Sequence, residues 1–142
     1  IMAGAYIGFG GLFSASVTFD MNPALGIGLK KLITGAAFSI GLMLVVIAGA
    51  ELFTGNTLMV SSVVTGRVTW QSVLAKWGIV YSANFVGSIL LALLFYFSGL
   101  WKAGGGALGA VAVKTAYAKV HLDLGEAFVR AIGCNWMVCL AV

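Results

Sequence analysis

The chain has 142 residues, of which 61% are hydrophobic and 8% charged, and its mean hydropathy is +1.09. Soluble domains carry about 25% charged residues, so this composition excludes a soluble domain and points to an all-α polytopic membrane protein. The net charge of +4 reflects a shortage of acids, and with no cluster of Lys and Arg there is no footprint for nucleic acid.

Ile1–Phe19 is uncharged, rich in Gly, Ala and Ser, and long enough to span a bilayer. It lacks the basic start and small-residue cleavage site of a secretory signal. Gly4 and Gly8, continued by Gly11 and Ala15, place small residues at helical spacing, which predicts a close helix–helix contact. Asp20-Met21-Asn22-Pro23 ends this element, and Lys30 and Lys31 mark a membrane interface before the next apolar run.

From Leu32 to Gly66, Glu51 is the only charged residue. As one helix this run would be roughly 52 Å long at about 1.5 Å per residue, against a hydrocarbon core of about 30 Å. The polar group Glu51-Leu52-Phe53-Thr54-Gly55-Asn56 lies where an interruption is needed. The sequence therefore predicts a second span over 32–64, broken near 51–56. Freed backbone groups are tolerated at membrane depth only where protein or a watery cavity satisfies them, so the break is expected to line a pathway. An acidic residue costs about 2.5–3.5 kcal/mol at the centre of a membrane helix. Glu51 is accordingly expected to be paired, in a structural role, and not to contact an anion that it would repel.

Arg67 and Thr69-Trp70-Gln71 end the second span at the opposite surface. A third span is expected over 77–101, with Asn84 as its one amide, hydrogen-bonded to a neighbour. The segment 102–126 holds Gly104-Gly105-Gly106, Lys114, Lys119, His121, Asp123 and Glu126. It reads as a long extramembrane loop that has room for a short amphipathic helix near Val111–Val120. A fourth span opens near Ala127. Cys134 and Cys139 are five apart and point to different faces of a helix, which argues against a disulfide between them. They read as buried thiols, and with no His or carboxylate at ligand spacing, no metal and no cofactor are expected. The chain starts without Met and stops inside an apolar run, so it reads as part of a longer protein, one transmembrane domain that is incomplete. Small residues in the first and fourth spans are compatible with a three-plus-three inverted repeat.

Three stretches resemble the formate/nitrite transporter family. They are Gly49-Ala50-Glu51-Leu52-Phe53-Thr54-Gly55-Asn56; Gly66-Arg67-Val68-Thr69-Trp70 with Ala83-Asn84-Phe85-Val86-Gly87; and Gly133-Cys134-Asn135-Trp136-Met137-Val138-Cys139-Leu140-Ala141-Val142. Their order and spacing agree as well. The resemblance implies an aquaporin-like inverted-repeat bundle of six helices, the second and fifth broken. It also implies a homopentamer in a prokaryotic inner membrane, each subunit passing small monovalent anions such as formate, nitrite or hydrosulfide. It implies a cytoplasmic constriction at Leu52 and Phe53 faced by Asn135 and Val138, and an outer constriction with Phe38 and Leu42. Thr54 would hydrogen-bond a central histidine from the second broken helix; His121, which precedes the Asn135 motif, is a loop histidine. Lys119 would attract anions to the outer vestibule, and Glu51 would serve subunit contacts. The connection 67–76 would then be cytoplasmic and Lys102, Lys114 and Lys119 external, although the basic residues of the loops alone favour the reverse.

On chemistry alone, a bare anion in hydrocarbon costs tens of kcal/mol by idealised solvation. A pathway must supply dipoles or a proton. Protonation makes the conjugate acid of formate, nitrite or hydrosulfide neutral and passable at an apolar constriction. Two other classes compete with a channel: a structural or assembly subunit, for which the polar break has no use, and a membrane-embedded enzyme. The enzyme reading lacks a nucleophile–base pair or metal ligands inside the spans.

Overall fold

A computed structural model describes residues 1–141, and every regular element among them is helical. In chain order these are α1 (Met2–Thr18), a 3-10 turn (Pro23–Leu25), α2 (Gly26–Ile47), a 3-10 turn (Gly55–Leu58), α3 (Met59–Val64), α4 (Trp70–Ser98), a 3-10 turn (Leu100–Lys102), α5 (Ala107–Val120) and α6 (Leu124–Ala141). Three stretches are long and apolar enough to cross a membrane: Pro23–Ile47, Trp70–Ser98 and Leu124–Ala141. The 17 residues of α1 lie at the short limit for a span.

The glycines of α1 make it the helix on which the others pack. Gly10 meets Gly41, and a Cβ on Gly10 would come within 2.7 Å of the Phe38 carbonyl oxygen. The neighbours of Gly41 are Tyr6, Ile7 and Gly10, so α1 and α2 run antiparallel. Gly4 lies against the Asn84 backbone and Gly8 against Leu91, so α1 and α4 run in the same direction. Without Cβ atoms these backbones approach more closely than larger residues allow, and dispersion between them replaces the hydrophobic drive that lipid does not supply. Ala3, Ala37, Val45, Val73, Val80, Leu91 and Leu108 form the buried apolar core. The outward faces are apolar and exposed, as a lipid-facing or subunit-facing surface requires; Phe85, Leu94 and Phe97 are examples.

The second span is interrupted, but the break opens earlier than 51–56. Helix α2 ends at Ile47, and Gly49 takes a positive φ of 63°. The Ala50 N–H then donates to Val45 O at 2.9 Å and the Gly49 N–H to Val46 O at 3.2 Å. This is a Schellman cap, which closes the helix on its own last carbonyls. Helical structure resumes at Gly55. Gly66, with φ 70°, closes α3 in the same way, Arg67 N–H donating to Ser62 O at 2.9 Å.

Other boundaries also move. Lys30 and Lys31 lie within α2, not ahead of it; long lysine stems can carry their charge to the interface from inside a helix. Helix α4 starts at Trp70, because Thr69 caps it by accepting from Ser72 N–H at 3.3 Å, and it stops at Gly99 in the left-handed conformation. The segment read as an extramembrane loop over 102–126 contains the 14-residue α5, which packs on α1 and on the turn Leu100–Lys102. Gly104, Gly105 and Gly106 all have positive φ (61°, 66° and 94°) and reverse the chain into α5.

Candidate pathway site

Two groups of residues stand out, at different heights along the bundle. The first surrounds a cavity of about 630 Å³ walled by α1, α2, α4 and α5. Phe38 and Lys119, 81 positions apart in sequence, both line it, with Ser14, Thr18, Thr34, Ser88 and Thr115. Phe38 is 41% exposed. Leu42, one turn along α2 from Phe38, is half-buried and is not among the lining residues. All five of these hydroxyls are back-bonded to their own helices: Ser14 to Gly11 O at 2.9 Å, Thr18 to Ser14 O at 2.7 Å, Thr34 to Lys30 O at 2.7 Å, Ser88 to Asn84 O at 3.0 Å and Thr115 to Val111 O at 2.8 Å. They satisfy their donors locally and leave oxygen lone pairs and apolar stems toward the cavity. Lys119 makes no ion pair among the described residues and is exposed.

The second group is the break itself. Helix α4 holds it through side chains at 77, 81 and 84, a stripe on one face. The Asn84 amide bridges two backbone groups of the break: Phe53 N–H donates to Asn84 Oδ1 at 3.0 Å, and Asn84 Nδ2 donates to Glu51 O at 3.0 Å. The indole Nε1 of Trp77 donates to Asn56 O at 3.0 Å. The Phe53 ring makes edge-to-face contacts with Tyr81 and Trp77, with centroids 5.3 and 6.2 Å apart. Such pairs contribute about 0.5–1.5 kcal/mol each beyond area burial. Backbone groups freed by the end of α2 are thus met by side chains of α4, as an interruption at membrane depth demands.

Glu51 pairs with Lys76 across 2.9 Å. The two side chains are 51% and 44% exposed, so the ion pair sits at the rim of the bundle and not in its centre. The pairing agrees with the cost of an unpaired acid at this depth.

From the other side, α6 meets the break at the 3-10 turn Gly55–Leu58. Asn135 Nδ2 donates to Thr57 Oγ1 at 3.3 Å, and the Cys139 thiol lies 3.2 Å from the same oxygen. Thr57 in turn donates to Thr54 O at 2.9 Å. Asn135, Val138 and Cys139 are half-buried on α6, whereas Cys134 is exposed, contrary to the expectation that both thiols are buried. Thr54 Oγ1 and Asn56 Nδ2 are buried atoms with no hydrogen-bond partner among the described residues. Trp77, Tyr81 and Thr57 were not singled out from sequence as parts of this site. The signal available was the helical spacing of Trp77, Tyr81 and Asn84, polar or amphipathic tips on one stripe of an apolar helix. His121 is exposed and stacks on Tyr117, with 3.9 Å between ring centroids, away from the break.

Three helices long and apolar enough to span, with an interrupted apolar segment clamped by one neighbour and touched by another, define a multi-pass α-helical membrane protein. More narrowly, the chain belongs to the formate/nitrite transporter family, whose sequence model matches residues 1–142. This is a family of transporters and not of enzymes. The chain is 41% identical to the formate channel FocA of Haemophilus influenzae over 100% of this chain and 50% of that protein. It is 40% identical to a probable formate transporter of Methanothermobacter thermautotrophicus, over 99% and 57% respectively. It is 36% identical to the nitrite transporter NirC of Salmonella typhimurium, over 99% and 51%. A solved pentameric formate channel with formate bound superposes with a TM-score of 0.85 at 35% identity, covering 99% of this chain and 55% of that one. The aquaporin-like fold expected from the sequence is the one shared with that structure. The chain spans about half the length of the curated relatives it matches.

Proposed function

We propose that this chain forms part of a channel for small monovalent weak-acid anions, with formate first among formate, nitrite and hydrosulfide. The observation that carries the reading is the interrupted second span. Its backbone around Leu52 and Phe53 is bonded by the Asn84 amide of α4, and the turn that follows it is bonded at Thr57 by the Asn135 amide of α6. Relatives named for formate and for nitrite both align over essentially the whole chain, which supports the substrate class.

In this account the cavity holding Phe38 and Lys119 is the outer vestibule, and Leu42 joins Phe38 in the outer constriction. Lys119 raises the local anion concentration there. Leu52 and Phe53 form the inner constriction, faced by Asn135 and Val138. Between the two, the anion takes up a proton, and the neutral acid crosses the apolar constriction without the desolvation cost of a charge. The Thr54 hydroxyl, buried and unpartnered among the described residues, suits a hydrogen bond to the central histidine that the family resemblance implies. Glu51 has a structural role through Lys76 and at subunit contacts, within a homopentamer in a prokaryotic inner membrane. The test is uptake of labelled formate, nitrite and hydrosulfide by vesicles containing the intact protein. Selective uptake that rises as external pH falls supports the reading; no uptake of any small anion by a correctly folded oligomer refutes it.

A further inference from the structure

We infer that Asn84 is the positioning residue of the inner constriction: its side-chain amide fixes where Leu52 and Phe53 stand, although it is not itself the constricting group. The inference rests on the channel reading above and adds the element that gives the constriction its dimensions.

The break is the least self-supporting part of the chain. Between the cap of α2 at Gly49 and the turn at Gly55 the only local backbone bonds are those that the Leu52 and Phe53 carbonyls accept from Gly55 and Asn56, and they leave the Phe53 N–H and the Glu51 carbonyl to other partners. Asn84 bonds to the backbone on both sides of Leu52, accepting from the Phe53 N–H and donating to Glu51 O, each at 3.0 Å. A primary amide carries a donor and an acceptor on one rigid plane, so both bonds together fix the orientation of the intervening peptide groups as well as their distance from α4. The amide is in turn held from behind. Gly4 packs on the Asn84 backbone so tightly that a Cβ there would collide with the Asn84 carbonyl oxygen. Movement of α4 at this level would have to displace α1 as well.

The neighbouring contacts on the stripe cannot do the same task. Trp77 holds Asn56 O, beyond the constriction, and Tyr81 touches only the ring of Phe53. The Glu51–Lys76 pair joins side chain to side chain and does not touch the backbone of the break. The Leu52 and Phe53 carbonyls accept from the Gly55 and Asn56 amides of the following turn, but among the described side chains only Asn84 hydrogen-bonds to the backbone at 51–53 and ties it to another helix. Since an amide two bonds wide defines the peptide plane, a shift of the order of 1 Å at this clamp alters which solutes fit between apolar side chains.

The test compares wild type with Asn84→Leu, which is near in size and removes both bonds, and Asn84→Asp, which keeps the acceptor for Phe53 N–H and removes the donor to Glu51 O. Two readouts are taken on the intact protein in lipid. The first is hydrogen exchange of the amides at 52–56, which needs no transport. The second is the ratio of lactate to formate permeation, which a merely structural role would leave unchanged in protein that keeps its oligomeric size. Exchange at 52–56 is expected to speed up at least tenfold in Asn84→Leu, and the lactate-to-formate ratio to rise several-fold. Asn84→Asp should be intermediate in exchange at Phe53. Unchanged exchange, or changed exchange with an unchanged permeation ratio, overturns the inference. Unfolding of Asn84→Leu would leave Asn84→Asp to decide on the same two readouts. Faster exchange in a protein whose wild type passes neither anion would refute the channel reading while establishing the clamp.

Discussion

Asn135 on α6 and Thr57 on the turn after the break are 78 residues apart in sequence, and the amide Nδ2 of one donates to the hydroxyl Oγ1 of the other at 3.3 Å. The Cys139 thiol, one turn further along α6, meets the same oxygen at 3.2 Å. Helix α6 therefore meets the break at the Thr57 hydroxyl, with a further contact from the Cys139 thiol to Thr54 O at 3.8 Å. Interhelical hydrogen bonds of this kind are worth about 0.6 kcal/mol on average in membranes. Thr57→Val should destabilise the folded protein by roughly that amount and lower formate flux several-fold. Asn135→Ala should cost no further stability in the Thr57→Val background, since the bond between them is already lost. A double-mutant cycle on thermal unfolding and flux checks this; strict additivity would show that the two side chains are not coupled.

The close helix crossings at α1 set a second expectation. A Cβ on Gly4 would collide with the Asn84 carbonyl oxygen, and one on Gly87 with Ile1 O, whereas Gly11 has open space around it. Gly4→Ala and Gly87→Ala should therefore reduce the yield of correctly sized oligomer severely. Gly11→Ala should leave it as in wild type. Size-exclusion profiles in detergent distinguish the three variants, and normal assembly of Gly4→Ala would contradict the packing described.

Gly49 tests the cap that opens the break. Its φ of 63° is left-handed, and nothing lies within 4 Å of where its Cβ would stand. The cost of Gly49→Ala is then conformational alone, about 1–2 kcal/mol. Thermal unfolding should show a loss of that size with packing otherwise intact. A neutral outcome would mean that α2 continues past Ile47 in the membrane.

Lys119 lines the cavity from α5, exposed and without an ion-pair partner among the described residues. Attraction of anions by an exposed charge is screened over about 10 Å at 0.1 M salt and about 3 Å at 1 M. Lys119→Ala should lower formate flux several-fold at low ionic strength and approach wild type at high salt. Lys119→Glu should be worse at low salt. Equal effects at both salt concentrations would assign Lys119 a packing role.

The break was legible in the sequence because a carboxylate, a hydroxyl and an amide interrupt a run too long for one span. Its start was not. Gly49 looks like any of the twenty glycines of the chain, and only the Ala50–Val45 hydrogen bond marks it as a cap. The short amphipathic helix expected near Val111–Val120 corresponds to the later part of α5; its first turn reads as loop because three glycines precede it, while the long stems of Lys114 and Lys119 let both charges leave an otherwise apolar helix. The early start of α4 is marked by Thr69, a capping residue followed three positions later by Ser72, but Arg67 and Trp70 beside it are equally residues of a membrane interface. Pairing of Glu51 was expected on electrostatic grounds, yet its partner Lys76 was taken to lie outside the span. At the site, Phe38 and Lys119 come together at one cavity. Asn135 reaches the break, and Leu42 lies outside the cavity lining. Which residues of α4 hold the break depends on a helical register that no short motif reveals.

The central claim is that weak-acid anions cross at the Leu52–Phe53 break with a proton taken up beside Thr54. Formate flux through the intact protein in proteoliposomes, measured across external pH for wild type and Thr54→Val, tests it most directly. The account predicts that wild-type flux rises as pH falls, because more of the substrate can cross as the neutral acid, and that Thr54→Val flattens this dependence and lowers flux by roughly tenfold, a loss of about 1.4 kcal/mol. A Thr54→Val protein with the same flux and the same pH profile as wild type would contradict it.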